Sequence, residues 1–353
     1  MRELDRIVHA LRASATRGEA VVLVTVLGVE GSVYRGAGAR MVVTANGETT
    51  GAVSGGCLEA DIVARTPDVI LEGRILVAQY DTRASDDAVM GLGLGCQGVI
   101  DLLLEPLTGA ALDDAIAFYQ RLAEYRDSVT VVTLVRAGVD SAHVGTRLVL
   151  SDAGDVLEGD RSLLGREHDT VREVVRPATR LVLCGGGTDA IPLARLARQM
   201  GWHVTIVDHR PGFATPARFP DADAIVCTNV VHDARALDDR VGIDARTMAV
   251  VMAHSATHDR AYLHALLDAH AGYVGVLGPR RRTVELLGVR GAELPASVYS
   301  PVGLDLGAET PDEIALSIVA EIAAVSTRRQ AGMLRGRSGP IHDRAGQPSA
   351  SPP

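Results

Sequence analysis

Arg180-Leu181-Val182-Leu183-Cys184-Gly185-Gly186-Gly187-Thr188-Asp189-Ala190 decides the fold of the second half of the chain. An apolar run of strand length passes directly into the pattern G-x-G-x-x-A. In such a turn the first glycine permits the tight bend, and the second lets backbone N–H groups approach a phosphate. The small third residue lets the following helix pack on the strand, and the helix N-terminus adds free donors and partial positive charge. The next apolar strand, His203-Val204-Thr205-Ile206-Val207, ends at Asp208. That places an acid roughly 20 residues beyond the glycines, where a dinucleotide fold uses one for a ribose hydroxyl. Arg210 lies at the rim of the same crevice. Gly185, Gly187, Asp208 and Arg210 are therefore candidate contacts for a nucleotide or another phosphorylated ligand. The competing reading is a turn kept for packing, with Arg210 solvated. Cys184 and Cys227 read as packing thiols.

Around this turn, apolar segments at 223–227 and 248–252 alternate with helical patterns at 188–200, 259–270 and 311–325. Strand–helix alternation of this kind predicts an α/β, Rossmann-like, doubly wound parallel sheet. His254-Ser255-Ala256-Thr257-His258-Asp259 follows one of these strands. It reads either as a metal or proton-relay site or as a polar helix start capped by Ser255 or Thr257. Gly278-Pro279-Arg280-Arg281-Arg282 reads either as an anion site or as a solvated turn. After about residue 327 the chain turns to Arg, Gly, Ser and Pro, so 330–353 is expected to be a disordered tail.

The first half has a different rhythm. Residues 1–18 and 111–126 have amphipathic helical spacing. Segments at 20–29, 40–45, 49–53, 74–80, 98–105, 129–136 and 146–150 read as strands, with Asn46-Gly47 as a hairpin turn and a short helix at 58–65. Residues 159–178 show no strong pattern and end in Arg176-Pro177. The expected division is an N-terminal α+β domain over 1–176, a Rossmann-like domain over 177–329 and the tail.

Composition narrows the chemistry. All 35 basic residues among the 353 are Arg, and none is Lys. A P-loop and a Schiff-base enzyme are thereby excluded; codon bias in a GC-rich genome accounts for the absence. A net charge of −9 with 3% aromatic residues argues against a nucleic-acid partner. The longest apolar run, Ala20 to Val29, is far short of the roughly 20 residues of a membrane span. No apolar segment follows Met1-Arg2-Glu3-Leu4-Asp5-Arg6, so no secretory leader is expected and the protein is placed in the cytoplasm. None of the four cysteines forms a Cys-x-x-Cys pair, which argues against structural zinc.

Two of those cysteines sit in glycine turns. Ser54-Gly55-Gly56-Cys57-Leu58-Glu59 places a thiol at a helix N-terminus, which favours thiolate. Gly91-Leu92-Gly93-Leu94-Gly95-Cys96-Gln97-Gly98 places another where backbone can approach a ligand closely. Thiolates suit a soft metal or a metal–dithiolate group; buried filler is the alternative for both.

These motifs, with Gly31-Ser32-Val33-Tyr34-Arg35-Gly36-Ala37-Gly38-Ala39-Arg40-Met41 and Glu105-Pro106, resemble the xanthine dehydrogenase accessory proteins of the XdhC/CoxI type. In the second half the resemblance runs through the Gly185 turn, Val207-Asp208-His209-Arg210 and Tyr273-Val274-Gly275-Val276-Leu277-Gly278. It continues in Pro301-Val302-Gly303-Leu304-Asp305-Leu306-Gly307 and Thr310-Pro311-Asp312-Glu313-Ile314-Ala315. His254 and His258 are spaced further apart than in the family's His-rich pattern. The resemblance implies a carrier without turnover of its own. It would bind molybdenum cofactor (molybdopterin), support its sulfuration and insert it into xanthine dehydrogenase or a related molybdenum hydroxylase. A cysteine desulfurase and a second copy of the chain are further partners it suggests. Cys57 and Cys96, with Gly55, Gly56 and Gly95, would contact the cofactor or its metal. The Gly185 turn would hold a phosphate, and Arg35 and Arg40 other anionic parts. The alternative is an NAD(P)-dependent oxidoreductase using the Rossmann-like domain, with His254 or His258 as acid–base residue. The single Trp202, read as close to the turn, would report dinucleotide binding. A third reading is a purely structural assembly partner.

Overall fold

The computed structural model describes residues 3–56, 58–81, 97–136, 142–233, 235–288 and 293–336. They fall into two compact units, one over Glu3–Pro177 and one beginning at Ala178.

In the first unit, β1 (Val21–Ser32), β2 (Arg40–Thr44), β3 (Thr49–Gly51), β4 (Leu76–Asp81) and β5 (Gln97–Leu107) form an antiparallel sheet ordered β3-β2-β1-β5-β4. Both faces of β1 are covered. Val21 and Leu23 pack with α1 (Glu3–Arg17) and α3 (Gly109–Glu124). Val22, Val24 and Val26 pack with Ile62 and Val69 of α2 (Glu59–Glu72). A strand buried on both faces reads as a continuous apolar run rather than an alternation, as Ala20 to Val29 does. Helix α2 runs past the expected stop near residue 65. It accommodates Pro67, because Ile62, Thr66 and Val69 are buried on one face, and ends at the left-handed Gly73 (φ 62°).

A second antiparallel sheet, ordered β8-β7-β6-β9, contains β6 (Val129–Leu134), β7 (Arg147–Ser151), β8 (Val156–Gly159) and β9 (Thr170–Val175). Strand β9 lies in the stretch expected to lack pattern. It is an edge strand that leaves Val174 exposed, so its sequence carries little apolar signal.

The second unit holds six parallel strands: β10 (Arg180–Cys184), β11 (His203–Asp208), β12 (Ala224–Cys227), β13 (Thr247–Val251), β14 (Tyr273–Val276) and β15 (Val298–Tyr299). Their order, β12-β11-β10-β13-β14-β15, is the doubly wound order of a Rossmann domain. Leu193 and Ala197 of α4 (Ala190–Gln199) and Ile318 and Ile322 of α8 (Pro311–Ser326) cover one face. The other face is covered by Leu237 of α5 (Ala236–Val241), Leu263 and Leu266 of α6 (Ala256–Asp268), and Leu286 of α7 (Arg280–Leu287). Strands β10 and β13 are neighbours whose following helices lie on opposite faces. Their C-terminal ends thus form the topological switch point, where open α/β sheets take ligands. Trp202 is not near this point. It precedes β11 at the N-terminal strand ends, separated from the glycine turn by the full length of α4, about 15 Å, and so reports poorly on the turn. Of the expected tail, residues 337–353 lie outside the described residues; Met333 and Leu334 before them are exposed.

Candidate functional site

The three glycines after β10 have different reasons to be glycine. Gly185 has φ +124°, and a Cβ there would lie 2.5 Å from the Met252 carbonyl oxygen. At Gly186 a Cβ would meet the Phe213 carbonyl oxygen at 2.8 Å. Packing alone accounts for both. A Cβ on Gly187 would make only an ordinary contact, 3.7 Å from the His254 ring. Among the three, Gly187 is the one that protein packing does not explain.

Asp208 is fully buried, and its carboxylate is engaged within the protein. Oδ2 accepts from the Gly186 amide (2.7 Å) and from Arg210 Nη2 (2.8 Å). Oδ1 accepts from the Arg210 amide (2.8 Å) and Nε (2.9 Å). Burial works to raise its pKa, but the Arg210 side chain and the Gly186 amide outweigh it and hold the group below the ordinary carboxylate range. Asp208 therefore ties the glycine turn to the end of β11, where sequence alone places it at a ribose. The Arg210 guanidinium carbon lies over the Phe213 ring, 3.6 Å from its centroid.

The loop after β13 resolves into several separate ties. His254 has the left-handed φ of 56°, and its Nε2 meets Asp189 Oδ2 at 3.1 Å, joining the loops on either side of the switch point. His258 Nδ1 meets Ser255 Oγ at 3.0 Å, and its ring stacks on His209 with centroids 3.5 Å apart. Burial, then the neighbouring His258, lower the His209 pKa, which keeps that ring neutral near pH 7. Asp259 is buried, accepts from the Ala253 amide (2.9 Å) and pairs with Arg282. Ser255 is the N-cap residue of α6. No group of three or more His, Cys, Asp or Glu suited to a metal occurs among the described residues.

The expected Arg run before an apolar helix is the first turn of α7 itself. Arg282 is committed to Asp259 and Arg281 is exposed beside Glu285. Cys184 is buried, and burial followed by Asp259 pushes its thiol pKa up. Cys227 departs from the packing expectation: it is exposed, at the end of the edge strand β12.

In the first unit, Cys57, Cys96 and Gly95 lie outside the described residues, but the segments next to the cysteines are described. Gly55 and Gly56 are exposed, and Gly56 has φ +107° with open space around it. A Cβ on Gly55 would lie 3.6 Å from the Tyr34 ring. Ser32, two residues before Tyr34, pairs with Gln97, the residue after Cys96. The described flanks of both motifs thus meet at one end of the five-stranded sheet. Arg35 is paired with Glu3. Arg40 is buried and bonded to both oxygens of Glu173 and to the Gly38 carbonyl (2.8 Å). Neither guanidinium stands free for an anion.

The turn before Cys57 is braced by Glu59, a role not read from the sequence. Its Oε1 accepts from the amides of Val53 (3.2 Å) and Ser54 (2.8 Å), and the Ser54 hydroxyl donates to Oε2. Ser54 Oγ in turn accepts from the amides of Gly56 (3.2 Å) and Leu58 (3.1 Å). Burial raises the Glu59 pKa, but hydrogen bonds from Ser54 and neighbouring amides outweigh it, and the net shift is downward. A lowered folded pKa means that the brace is fully present above the unfolded value, about 4.3. It is lost as pH falls through the folded value. The protection factors of the Val53 and Ser54 amides, relative to intrinsic exchange, are therefore expected to fall as pH drops below the unfolded value, and Glu59→Gln is expected to lower them at neutral pH. Unchanged protection in that variant would contradict the brace.

Residues 14–81 match the family model described as the XdhC and CoxI family, and residues 181–322 match the one described as the XdhC Rossmann domain. A Bacillus subtilis protein whose name makes it a probable component of xanthine dehydrogenase is 33% identical over 331 residues, covering 90% of this chain and 96% of that protein. The Escherichia coli protein named "Molybdenum cofactor insertion chaperone PaoD" is 25% identical over 318 residues, covering 89% of this chain and 86% of that one. A crystal structure from Bacillus halodurans, titled as a xanthine dehydrogenase, superposes with a TM-score of 0.79 at 30% identity, covering 95% of this chain and 98% of that one. The chain belongs to the XdhC and CoxI family.

Proposed function

We propose that this protein binds molybdenum cofactor as cargo and inserts it into a molybdenum hydroxylase such as xanthine dehydrogenase, without turnover of its own. The observation that carries this reading is the end-to-end likeness to the E. coli insertion chaperone, which spans both units. Cys57 and Cys96 are the proposed soft ligands to the molybdenum or its dithiolate. Their described flanks meet at one sheet end, and the exposed Gly55–Gly56 backbone there leaves room for a bulky group. Gly187, with the α4 N-terminus, is the proposed contact for a phosphate of the cargo. Sulfuration of the held metal, with a cysteine desulfurase as sulfur donor, and a homodimeric carrier belong to the same proposal, as does action in the cytoplasm. No helix among the described residues is long and apolar enough to cross a membrane.

The oxidoreductase alternative loses support from the geometry. Asp208 is saturated by protein donors, and His254 and His258 are each bonded to a neighbouring side chain.

The names of the relatives pose a concrete choice between a permanent component of the hydroxylase and a carrier that leaves. Mixing the cofactor-loaded chain with cofactor-free hydroxylase is expected to raise hydroxylase activity. Gel filtration is then expected to separate the activated enzyme from the chain. Stoichiometric co-elution with mature enzyme, or no activation, would refute the carrier reading.

A further inference from the structure

The loop after β11 holds a guanidinium, that of Arg218, which no carboxylate among the described residues pairs. The Arg218 guanidinium carbon lies 5.0 Å from the centroid of the Phe213 ring over which that of Arg210 lies. Arg210 is balanced by Asp208. Arg218 has no acidic partner among the described residues. Its Nη2 donates to the Gly186 carbonyl at 3.1 Å, and its buried Nε–H has no acceptor. A guanidinium without an ionic partner, with one unspent donor, therefore stands beside the second glycine of the turn.

This arrangement is wrong for a free ribose diol and right for a dianion. A diol needs an acceptor with open lone pairs, and the fully buried Asp208 already takes four N–H donors. A phosphomonoester dianion takes N–H donors and positive charge, which a guanidinium supplies in bidentate geometry. Arg210 is held between the Phe213 ring and two side-chain hydrogen bonds to Asp208.

We propose that Arg218, with Arg210 beside it, receives a phosphomonoester, so that the second unit prefers a ligand bearing that group over one with an unsubstituted ribose diol. The inference rests on the reading that these strand ends hold a phosphorylated ligand. The group has two sources: the 2′-phosphate of a nucleotide, or the terminal phosphate of the pterin cargo.

Calorimetric titration of the full chain with NADP+, which bears one 2′-phosphomonoester, and with NAD+, whose phosphates are all diesters, tests it. The expected result is about 10-fold or more tighter binding of NADP+, the scale of hydrogen bonds to a charged group. Arg218→Met is expected to erase that preference by weakening NADP+ alone, and Arg218→Lys to restore part of it. Equal affinities for the two probes in the unsubstituted chain, no binding of NADP+, or a preference that survives Arg218→Met would overturn the proposal. With the preference established, displacement of NADP+ by the pterin cofactor identifies the cargo phosphate as occupant. Simultaneous binding identifies a separate nucleotide. A chain that carries cofactor yet shows no preference defeats this inference alone, whereas a chain that carries no cofactor defeats the proposed function.

Discussion

Gly185→Ala is expected to destabilise the second unit by about 4 kcal/mol, lowering its melting temperature by on the order of 10 °C. Two costs combine. At φ +124° an L side chain is strained, worth about 1–3 kcal/mol. The new Cβ would also lie 2.5 Å from the Met252 carbonyl oxygen and 2.6 Å from the Ala253 amide nitrogen. Both are backbone atoms at the end of β13 that no rotamer change can move, and displacing packed atoms costs about another 1–3 kcal/mol. Gly187→Ala is the matched control. Its Cβ meets only the His254 ring at 3.7 Å, so the melting temperature is expected to stay within about 4 °C of the parent, the effect of about 1 kcal/mol. Affinity for a phosphorylated ligand is the property expected to fall. Equal melting temperatures for the two variants would contradict the distinct roles assigned to these glycines.

The double substitution Cys57→Ala with Cys96→Ala is expected to lower cofactor affinity by more than about 100-fold. Loss of residues that merely orient metal ligands already costs about 10–100-fold, and these two replacements remove the ligands themselves. Residues 3–177 contain no other cysteine to take over. If both thiolates hold one group, each single variant is expected to lose nearly as much as the double, because the pair acts as a unit. Cofactor bound per chain after desalting is the readout, with the melting temperature as a control for folding. Full retention in the double variant would remove the thiols from the site.

The second unit was the more legible half of the sequence. Short β-rich runs separated by helical spacing can close into few arrangements, and the strand–turn–helix at Leu181 to Ala190 names the first strand of one of them. Strand β9 was illegible because an edge strand with Val174 outward has no apolar rhythm. Helix α2 runs past the expected residue 65 because its buried face spans Ile62 to Val69, on either side of Pro67.

At the site, the chemistry of single residues was readable but their partners were not. Asp208 looked like a ribose ligand because its position at a strand end is local information. Its saturation by Gly186 and Arg210 depends on how the turn folds back. The Ser54–Glu59 brace had a faint signal, a hydroxyl and an acid flanking a glycine turn. Arg218 had none, since only the path of the loop brings it to Gly186 and Phe213. The missing lysines were compatible with this outcome throughout, because the cations that the structure places around the turn are all guanidinium groups.

The proposed cargo of this chain is molybdenum cofactor. Elemental molybdenum and oxidised-pterin analysis of the full chain, purified from a molybdate-supplied host, decides whether the chain carries it. The expected result is near-equimolar pterin and molybdenum, both lost together in the Cys57→Ala, Cys96→Ala variant. A purified chain devoid of pterin and molybdenum under those conditions would contradict the account.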